Sequence, residues 1–573
     1  MELFTGVMEG LNSLIWHDYV LYTVLFFGVV FTVWSVSGQY RALTHGTAVT
    51  LGRYDNPNDP GAINHFQALS TALSATVGLG NIGGVAIAMS LGGPGALFWM
   101  WVVGLLGMSV KIIEVTLAMI HRNLDDPDNP HGGPMWVAKK GFAAMSPKLA
   151  GFGKVMGGVF CVALIISSIT GGNMFQSWNV ADVTNAFFGV PQWIVGVILA
   201  VLTGSVLLGG IKRIGHVTGT LVPFMCATYI IAGLYVIVLN IGAIPEIFAL
   251  IFKSAFSATE ATGAFVGGSA GAAFLWGMKR ALFSSEVAQG SSAIAHSAAK
   301  TDEPVREGVV AGLEPFIDTI VVCTITALVI LTSGVWNKGP DVHSAFLPEI
   351  SVGETAGTWN LSSIAVPDKD DGSEWREDGT VFMVVTVEVD GKKSLKRVNA
   401  TNVFRDNGAY AEFSAVTSDS EPVFRDGGLY ESYAGASLTA LAFNQTHDWL
   451  GKWLVTIAAW LFAISTIISW GYYGAQGVVY LFGQGAVRPF YLIYCVLTGV
   501  TTLGFIKTDV ELDLVTTTGT GLLLIVSFPI TIFLSRQAIA AYKEYMARLS
   551  SGNMKAEHEH IHLADVVSGK DVE

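Results

Sequence analysis

The sequence predicts an all-α polytopic membrane protein with about eleven transmembrane helices and a small extracellular β insert. The chain has 573 residues, of which 51% are hydrophobic and only 13% are charged, whereas a soluble chain carries about 25% charged residues. Apolar runs of membrane-spanning length recur along it. In addition, glycines interrupt one apolar run in each half of the chain, which is typical of membrane proteins built from two related halves.

The apolar runs define the predicted spans and domains. The spans cover about residues 14–37, 66–91, 95–121, 153–187, 191–210, 217–241, 260–283, 307–334, 449–482, 489–505 and 514–546, with a short amphipathic piece at about 244–257. The predicted domains are the first part of the transmembrane bundle (1–335), the insert (336–440), the second part of the bundle (441–550) and a tail (551–573).

Basic residues in the short loops predict the orientation of the chain. Arg122 and Lys140 follow the third span, Lys212 follows the fifth, and Lys543 and Arg548 lie near the end of the last one. With eleven spans these loops share one side, which the positive-inside rule makes cytoplasmic. We therefore expect a multi-pass protein of the plasma (inner) membrane, surrounded by membrane lipid, with its N-terminus outside and its C-terminus in the cytoplasm.

The segment 336–440 differs from the rest of the chain in composition. It is rich in Asp, Glu, Gly, Ser and Val, and residues 380–390 (TVFMVVTVEVD) alternate with a period of two. Asp390-Gly391 is a hairpin turn signal, and Ser394 to Phe404 could form the return strand. We predict a small acidic β domain outside the membrane; a disordered acidic loop is the alternative.

Several function classes find no support in the sequence. The net charge of −13 argues against a nucleic-acid partner. The four cysteines lie in apolar runs without CxxC spacing, and neither a nucleophile–base pair nor an HExxH motif indicates an enzyme. In the tail, His558, His560 and His562 could bind a metal, although a charged tail is the simpler interpretation. We therefore expect no enzymatic activity and no cofactor.

The glycine-rich stretch ATVGLGNIGG (75–84) lies inside the second predicted span. Each helical glycine costs about 1 kcal/mol relative to alanine, and broken backbone is tolerated in a membrane only where it is buried in protein or lines a cavity. A second set of glycines, at 263, 267, 268 and 271, interrupts the seventh span. Close packing between helices is the alternative interpretation of such glycines.

The two interrupted spans each begin a set of five spans. Because five is an odd number, the two sets must have opposite orientations, so the sequence predicts an inverted repeat preceded by one extra helix. Broken helices present free N–H groups that can bind a carboxylate and free carbonyl oxygens that can bind a cation. We therefore expect a small solute and an ion at the break.

Long segments resemble the alanine or glycine:cation symporter family. The similar segments are 72–108 (ALSATVGLGNIGGVAIAMSLGGPGALFWMWVVGLLGM), 282–308 (LFSSEVAQGSSAIAHSAAKTDEPVREG), 316–334 (FIDTIVVCTITALVILTSG), 132–136 (GGPMW) and 465–474 (STIISWGYYG). The resemblance implies a LeuT-type fold with one additional N-terminal helix, Na+ or H+ as the coupling ion, and a small neutral amino acid as the solute. The family commonly reads FSNEAGLGS where this chain reads FSSEVAQGS (283–291).

The resemblance also implies which residues bind the solute. The set consists of residues in the two breaks and one polar residue of the fourth span: Thr76, Gly78, Gly80, Asn81, Gln176, Gly271, Phe274 and Trp276. Backbone N–H groups of the first break would hold the carboxylate, Gln176 would face the solute, and the aromatic residues would close the pocket. A hydrogen bond between helices is the alternative for Gln176, and core packing or a lipid-facing position is the alternative for the aromatic residues.

For the ion, the resemblance points to adjacent hydroxyls in the ninth span. Ser465 and Thr466 would hold Na+ together with carbonyl oxygens near Val77 and Gly80, since hard cations prefer oxygen ligands. The alternative is that both hydroxyls bond to the backbone of their own helix.

Charged residues inside the predicted spans need partners. Lys111 and Glu114 lie one helical turn apart and are expected to pair with each other. Asp182 and Asp318 could bind a second cation, carry a proton or accept structural hydrogen bonds. Glu286 is expected to brace the inner end of the second broken helix.

Together these observations predict a symporter that imports alanine or glycine with Na+ by alternating access. The alternatives are the same fold with H+ coupling or another small zwitterion as the solute, and a non-transporting solute sensor that uses the outer insert.

Overall fold

Helices make up most of the protein outside the segment 342–431. The computed structural model describes residues 2–257, 265, 269–353, 355, 357–370, 372, 374–375, 379–389, 391–405, 408–433, 435–505, 509–558 and 563–569. The predicted glycine positions 263, 267 and 268, and also His560 and His562, lie outside these described residues.

The described helices confirm a mostly helical protein, and the first of them, Glu2–Ile15, has no counterpart among the predicted spans. They are α1 (Glu2–Ile15), α2 (Asp18–Trp34), α3 (Gly38–Arg41), α4 (Thr47–Thr50), α5 (His65–Thr76), α6 (Val85–Gly92), α7 (Gly95–His121), α8 (Pro134–Trp136), α9 (Phe142–Met145), α10 (Ala150–Ile169), α11 (Phe175–Phe188), α12 (Gln192–Leu207), α13 (Gly210–Leu239), α14 (Ile244–Phe256), α15 (Ala270–Ser285), α16 (Ser292–His296), α17 (Pro304–Ala311), α18 (Thr324–Ser333), α19 (Ala436–Asn444), α20 (Thr456–Phe482), α21 (Val487–Thr501), α22 (Asp509–Ser550) and α23 (Leu563–Ser568).

Short π-helical segments join several of these helices into longer ones. They are Ala42–Gly46, Gly80–Gly84, Val137–Gly141, Thr170–Met174, Phe316–Cys323 and Leu450–Val455. Seven continuous helices in the described chain are long and apolar enough to cross a membrane, and the bent pair His65–Thr76 with Gly80–Gly92 makes eight if it counts as one span. The predicted total of about eleven also includes α12, α15 and α21, and it stays a prediction.

The break in the second span has a clear local cause. Helix α5 begins after Asn64, whose side chain accepts a hydrogen bond from Gln67 N. It ends at Val77, whose ψ of 87° leaves the helical region. The chain resumes a helical path at Gly80 after a bend of 50°. All residues of this segment from Gln67 to Met89 are buried, so the protein itself surrounds the freed backbone groups, as lipid requires.

Antiparallel strands lie between residues 342 and 431. They are β1 (Val342–His343), β2 (Ile350–Val352), β3 (Thr358–Leu361), β4 (Ile364–Ala365), β5 (Thr380–Val389), β6 (Lys392–Arg405), β7 (Gly408–Phe413), β8 (Val416–Thr417), β9 (Val423–Phe424) and β10 (Gly428–Glu431). One sheet has the order β1-β10-β5-β6-β7-β4, with β9 also paired to β5, and the other has the order β2-β3-β8. The hairpin of β5 and β6 pairs Thr380 with Thr401 and Val389 with Lys392.

The strand segment returns to the helical bundle directly at the break. Its first and last strands pair with each other, Val342 opposite Leu429. The chain then enters α19, where Thr439 Oγ1 donates to Ile82 O at 3.0 Å. A Cβ on Gly83 would lie only 2.9 Å from Ala436 N, so this glycine lets α19 pack against the broken helix.

Both ends of the chain pack against distant helices. Asn12 Nδ2 donates to Leu514 O at 3.1 Å and to Thr517 Oγ1 at 2.8 Å, which attaches α1 to α22. In the tail, Val566 O accepts a hydrogen bond from Asn64 Nδ2 at 2.7 Å. His558 Nε2 lies 3.0 Å from Asp55 O, so the described part of the tail lies beside the loop that precedes α5.

Candidate functional site

A small buried cavity lies at the break of the second span. The space in it that a water-sized sphere can enter is only about 20 Å³, room for about one water molecule. Its lining residues come from five parts of the chain: Ala75, Thr76, Gly78, Gly80, Gly171, Gln176, Phe283, Ser284, Glu286, Trp470 and Thr520. The structure thus brings together the predicted residues Thr76, Gly78, Gly80 and Gln176.

Two backbone amides of the break are bound by side-chain oxygens. Asn81 Oδ1 accepts from Gly78 N at 2.8 Å, and Gln176 Oε1 accepts from Leu79 N at 3.1 Å. Because an amide oxygen accepts hydrogen bonds much as a carboxylate oxygen does, Gln176 takes the place that the sequence predicts for a solute carboxylate. These amides are therefore suited to bind an anionic oxygen.

Asn81 lies behind the cavity wall and does not line the cavity. Its Nδ2 donates to Asp318 Oδ1 at 2.5 Å. Asp318 also accepts from Ser284 Oγ at 3.0 Å and from Thr319 Oγ1 at 2.7 Å. A buried carboxylate that accepts several hydrogen bonds can hold its neighbours in place. Asp318 lies in the π-helical segment Phe316–Cys323 and connects this segment to the break and to α15.

The two predicted hydroxyls of the ninth span have different surroundings. Thr466 Oγ1 donates to Ser74 O at 2.9 Å and would lie 2.6 Å from a Cβ on Gly78, so it contacts the break. Ser465 Oγ donates to Phe462 O at 2.9 Å in its own helix, which is the alternative that the sequence leaves open. Of the predicted carbonyl positions, Val77 ends α5 and Gly80 O accepts from Val85 N.

The predicted residues at the start of α15 lie away from the cavity. Gly271 is exposed, and a Cβ there would meet only Ser269 Oγ, at 3.5 Å. Phe274 packs between Tyr22 and Trp99, with ring centroids 5.3 and 4.9 Å away. Trp276 lines a different pocket beside α1. The end of α15, through Phe283 and Ser284, reaches the cavity instead.

Sequence reasoning missed seven lining residues and one backbone feature. The missed residues are Ala75, Gly171, Phe283, Ser284, Glu286, Trp470 and Thr520. The backbone feature is a π-helical turn at each of two walls, Gly80–Gly84 and Thr170–Met174. Such turns occur frequently at functional sites. The sequence carries one signal for this wall, the glycine pair at 171–172, which indicates close packing. In the structure a Cβ on Gly172 would lie 2.3 Å from the Trp470 ring.

Glu286 ends α15 and also lines the cavity. It occupies the position after the last helical residue, with a φ of 52°, and Ser291 Oγ donates to its Oε2. Two residues later, Ala288 has a φ of 67°. The left-handed region is unfavourable for alanine by about 1–2 kcal/mol, and this is the position where the family motif quoted above has glycine.

The structure corrects the expected pairing of Lys111 with Glu114. Lys111 Nζ instead donates to Ser292 Oγ at 2.5 Å and to Glu314 Oε2 at 3.3 Å, because α7 packs with these residues on the side that Lys111 faces. Asp182 accepts from Ser437 Oγ at 3.1 Å at the start of α19. It therefore lies near the strand segment and not at the cavity.

Membrane-length helices packed around a broken helix and a small internal cavity define a multi-pass membrane protein. The chain matches the sodium:alanine symporter family over residues 1–367 and 398–560. It belongs to this family, so it is an amino-acid/cation symporter by class and not an enzyme. The family match omits 368–397, which includes most of the β5–β6 hairpin.

Several relatives have transporter names. The sodium/alanine symporter AgcS of Methanococcus maripaludis is 43% identical over 331 residues, covering 58% of this chain and 71% of the relative. An uncharacterized transporter of Haemophilus influenzae is 30% identical over 499 residues, covering 86% of each chain. The probable sodium/glutamine symporter GlnT of Bacillus subtilis is 33% identical over 365 residues, covering 64% of this chain and 73% of the relative.

A solved structure gives a weaker match. The structure of MhsT in complex with L-phenylalanine has a TM-score of 0.43 and 12% sequence identity, and it covers 85% of this chain and 99% of MhsT.

Proposed function

We propose that this protein imports a small neutral amino acid, alanine or glycine, together with Na+ by alternating access. The observation that carries the proposal is the buried break at Val77–Gly80, where backbone amides donate to side-chain oxygens, Gln176 lines a small cavity and Thr466 packs against Gly78. The name of one relative gives alanine and that of another gives glutamine, so solute choice differs among related proteins. The cavity has room for about one water molecule, so a solute can enter only if the walls move apart, and a small solute needs the least movement.

The solute carboxylate would bind at the amides of the break. Leu79 N now donates to Gln176 Oε1 at 3.1 Å, and a carboxylate oxygen arriving there would take over this hydrogen bond. The Gln176 amide group would then be free to bond the solute. Thr76, Gly78 and Gly80 form the floor, and Phe283 and Trp470 limit the space for a side chain. Gly271, Phe274 and Trp276 are not part of the proposed pocket.

The sodium ion would bind next to the carboxylate. Thr466 Oγ1 and the carbonyl oxygens near Val77 and Gly80 would supply neutral ligands, which suit a hard cation. Ser465 would take part only after its hydroxyl leaves Phe462 O, to which it now donates at 2.9 Å. With neutral ligands, the carboxylate of the solute would share the charge of the ion, so each would strengthen the binding of the other.

The proposed architecture is a LeuT-type pair of inverted five-helix halves plus one N-terminal helix. The first half would run from α5 to α13, and the second from the region of α15 to α22. In the plasma (inner) membrane the N-terminus would be outside and the C-terminus in the cytoplasm. The strand segment would then lie outside, where α19 links it to the break through Thr439 and Ile82.

The experiment is uptake of labelled alanine and glycine into proteoliposomes with and without an inward Na+ gradient. We expect accumulation above equilibrium only with the gradient, and weaker uptake of glutamine. If the solute does not accumulate above equilibrium under either a Na+ gradient or a proton gradient, symport is contradicted. Solute binding without any accumulation would instead favour the sensor alternative.

Gln176→Ala tests the position of the solute. The substitution removes one polar partner of the solute, so we expect a loss in apparent solute affinity of about fivefold, since a buried hydrogen bond contributes roughly 1 kcal/mol. Gln445→Ala, at an exposed position after α19, is the matched control and should leave uptake unchanged. Equal kinetics for both variants would remove Gln176 from the site.

A further inference from the structure

A continuous row of buried acidic and basic side chains lies beside the cavity and has no role in the proposed pocket. It contains Asp55, His65, Glu307, His296, Glu314 and Lys111. The last five are buried within the bundle, whereas the Asp55 side chain keeps 15% of its surface exposed. The row therefore extends from a loop at one face of the bundle into its core.

From His65 to Glu314, neighbouring side chains of the row are hydrogen bonded and can exchange protons. His65 Nδ1 contacts Glu307 Oε2, and Glu307 Oε1 contacts His296 Nδ1. His296 Nε2 lies 2.8 Å from Glu314 Oε1. At the outer end, His65 Nε2 lies 3.9 Å from Asp55 Oδ1, and these two buried atoms have no hydrogen-bond partner among the described residues.

Two adjacent serines connect the inner end of the row to the cavity. Ser292 Oγ donates to Glu314 Oε1 at 3.2 Å, whereas Ser291 Oγ donates to Glu286, which lines the cavity. Within the described chain, Glu286 Oε1 is buried without a hydrogen-bond partner, and Lys111 and Glu314 both act on this carboxyl electrostatically. A change of charge in the row therefore changes the electrostatic potential at Glu286 on the cavity wall.

The charges of the row balance only when it holds two protons beyond that of Lys111. Its three carboxyl groups carry three negative charges when ionised, and Lys111 offsets one of them. Two further protons, held by the two histidines or by the carboxyl groups, make the row neutral. Uncompensated charge is costly inside a protein, which favours protons on the inner part of the row, away from Arg122 and Arg306 at the Asp55 end. Outside the spans, burial raises the pKa of Asp55, which favours a proton at the outer end as well.

Other titratable or charged groups face the row from neighbouring elements. They are Arg122, Arg306, His45 and His558 toward the Asp55 end, and Glu114, Glu286, Asp318 and Tyr473 toward the Lys111 end. The acidic groups lie at the cavity end and the permanently charged arginines at the Asp55 end, so a proton is favoured nearer the cavity.

We propose that this row is a proton site and proton path linked to Na+ binding: a sodium ion entering the cavity drives a proton out of the row at Asp55. This inference rests on the proposed function, because it requires Na+ to bind at the break. The proton passes from Glu314 to His296, then to Glu307 and then to His65; the last transfer, to Asp55, spans 3.9 Å and requires a bridging water molecule or an approach of the two side chains. Glu307 receives it on one oxygen and, after its carboxyl group turns over, donates it from the other; no electrons move.

The test measures proton release from the purified full-length protein in weakly buffered detergent solution with a pH-sensitive dye. Adding NaCl should release protons in an amount comparable to the amount of protein, whereas choline chloride should not. By reciprocity, the apparent Na+ affinity in uptake should fall about tenfold between high and low pH, as is typical for linked sites.

Two variants and one control locate the effect. His296→Gln breaks the path and should abolish proton release and flatten the pH dependence of Na+ affinity. Asp55→Asn, at the partly exposed end, is the milder change and should slow the release. His216→Gln, at an exposed position of α13, should behave as wild type.

The outcomes separate this inference from the proposed function. Na+-driven uptake without proton release and with a pH-independent Na+ affinity overturns the linkage and leaves the proposed function intact. Proton release in His296→Gln equal to that of wild type overturns the path. The absence of any Na+-driven uptake contradicts the proposed function, and the linkage fails with it.

Discussion

The cavity and the row of ionisable side chains are both buried in one helical bundle, yet they are built from different kinds of chemical group. The cavity wall consists of backbone amides, glycines, hydroxyls and aromatic rings, with Glu286 as its charged side chain. The row consists of ionisable side chains that contact one another, such as His296 between Glu307 and Glu314.

This difference shows how one helical bundle can bind a solute and an ion in one place and hold protons on ionisable side chains in another. Neutral oxygens can bind a cation and neutral amide groups can bind a carboxylate. The cavity can therefore accept the ion and the solute together, and their charges remain to attract each other. The row satisfies its own charges and therefore offers little to a solute. Because burial magnifies electrostatic effects, the row can still influence the cavity without touching the solute. Four substitutions test this division.

The largest effect is expected from Lys111→Met in the row. Removing one partner of a buried ion pair costs about 3–5 kcal/mol, because the carboxylate that remains is left uncompensated. We expect a clear fall in the melting temperature of the purified protein. Lys253→Met, at an exposed position of α14, is the control. Equal melting temperatures for the two variants would show that Glu314 does not depend on Lys111.

Gly78→Ala tests the cavity. A Cβ at this position would lie 2.6 Å from Thr466 Oγ1 and 3.3 Å from Gln176 Oε1, and overpacking of this kind costs about 1–3 kcal/mol. We expect uptake to fall by about tenfold to a hundredfold, measured as initial rates in proteoliposomes. Gly499→Ala in α21, where a Cβ meets nothing within 4 Å, should transport normally. Normal uptake by Gly78→Ala would separate the break from the solute.

Thr466→Ala should affect the ion more than the solute. The hydroxyl donates to Ser74 O, just before the break, and its loss should weaken apparent Na+ affinity about fivefold, since one polar contact contributes roughly 1 kcal/mol. The apparent affinity for alanine at saturating Na+ should stay close to that of wild type. Thr228→Ala, at an exposed position, is the control, and an unchanged Na+ curve would remove Thr466 from the ion site.

The smallest effect is expected from Ala288→Gly in the loop between the cavity and the row. Glycine adopts the φ of 67° found there without the penalty that alanine incurs, so the folded state should gain about 1 kcal/mol. The melting temperature should rise slightly. Ala540→Gly, at an exposed position within α22, should instead lower it by removing helix propensity. A fall in both variants would contradict a strained Ala288.

Glycine pattern and hydropathy are enough to predict a mostly helical, polytopic protein and four of the eleven residues that line the cavity. The sequence places the third span at about 95–121, and α7 occupies Gly95–His121, because a helix bounded by Pro94 and by the polar His121 has clear limits in the sequence. The break at Val77–Gly80 is predictable because a membrane tolerates glycine-broken backbone only where protein surrounds it or a cavity adjoins it.

The far wall and the charged row could not be predicted in the same way. Phe283 and Glu286 reach the cavity through the packing of α15, and one sequence does not show which turn of a helix faces inward when both faces are apolar. Proximity in sequence also gives the wrong partner for Lys111, because Glu314 is 203 residues away. Such contacts depend on helix packing, which no local pattern encodes.

The contact between α1 and α22 has a consequence for how the protein is made. Asn12 and Thr517, which are hydrogen bonded to each other, are 505 residues apart. Since ribosomes add about 5–20 residues per second, α1 is synthesised roughly half a minute to two minutes before its partner exists. During that time the amide of Asn12 has to find other partners at the membrane or in the insertion machinery. Helix α1 is thus among the last elements to complete its native contacts. A truncation that removes Leu514 and Thr517 of α22 would leave Asn12 without these two partners.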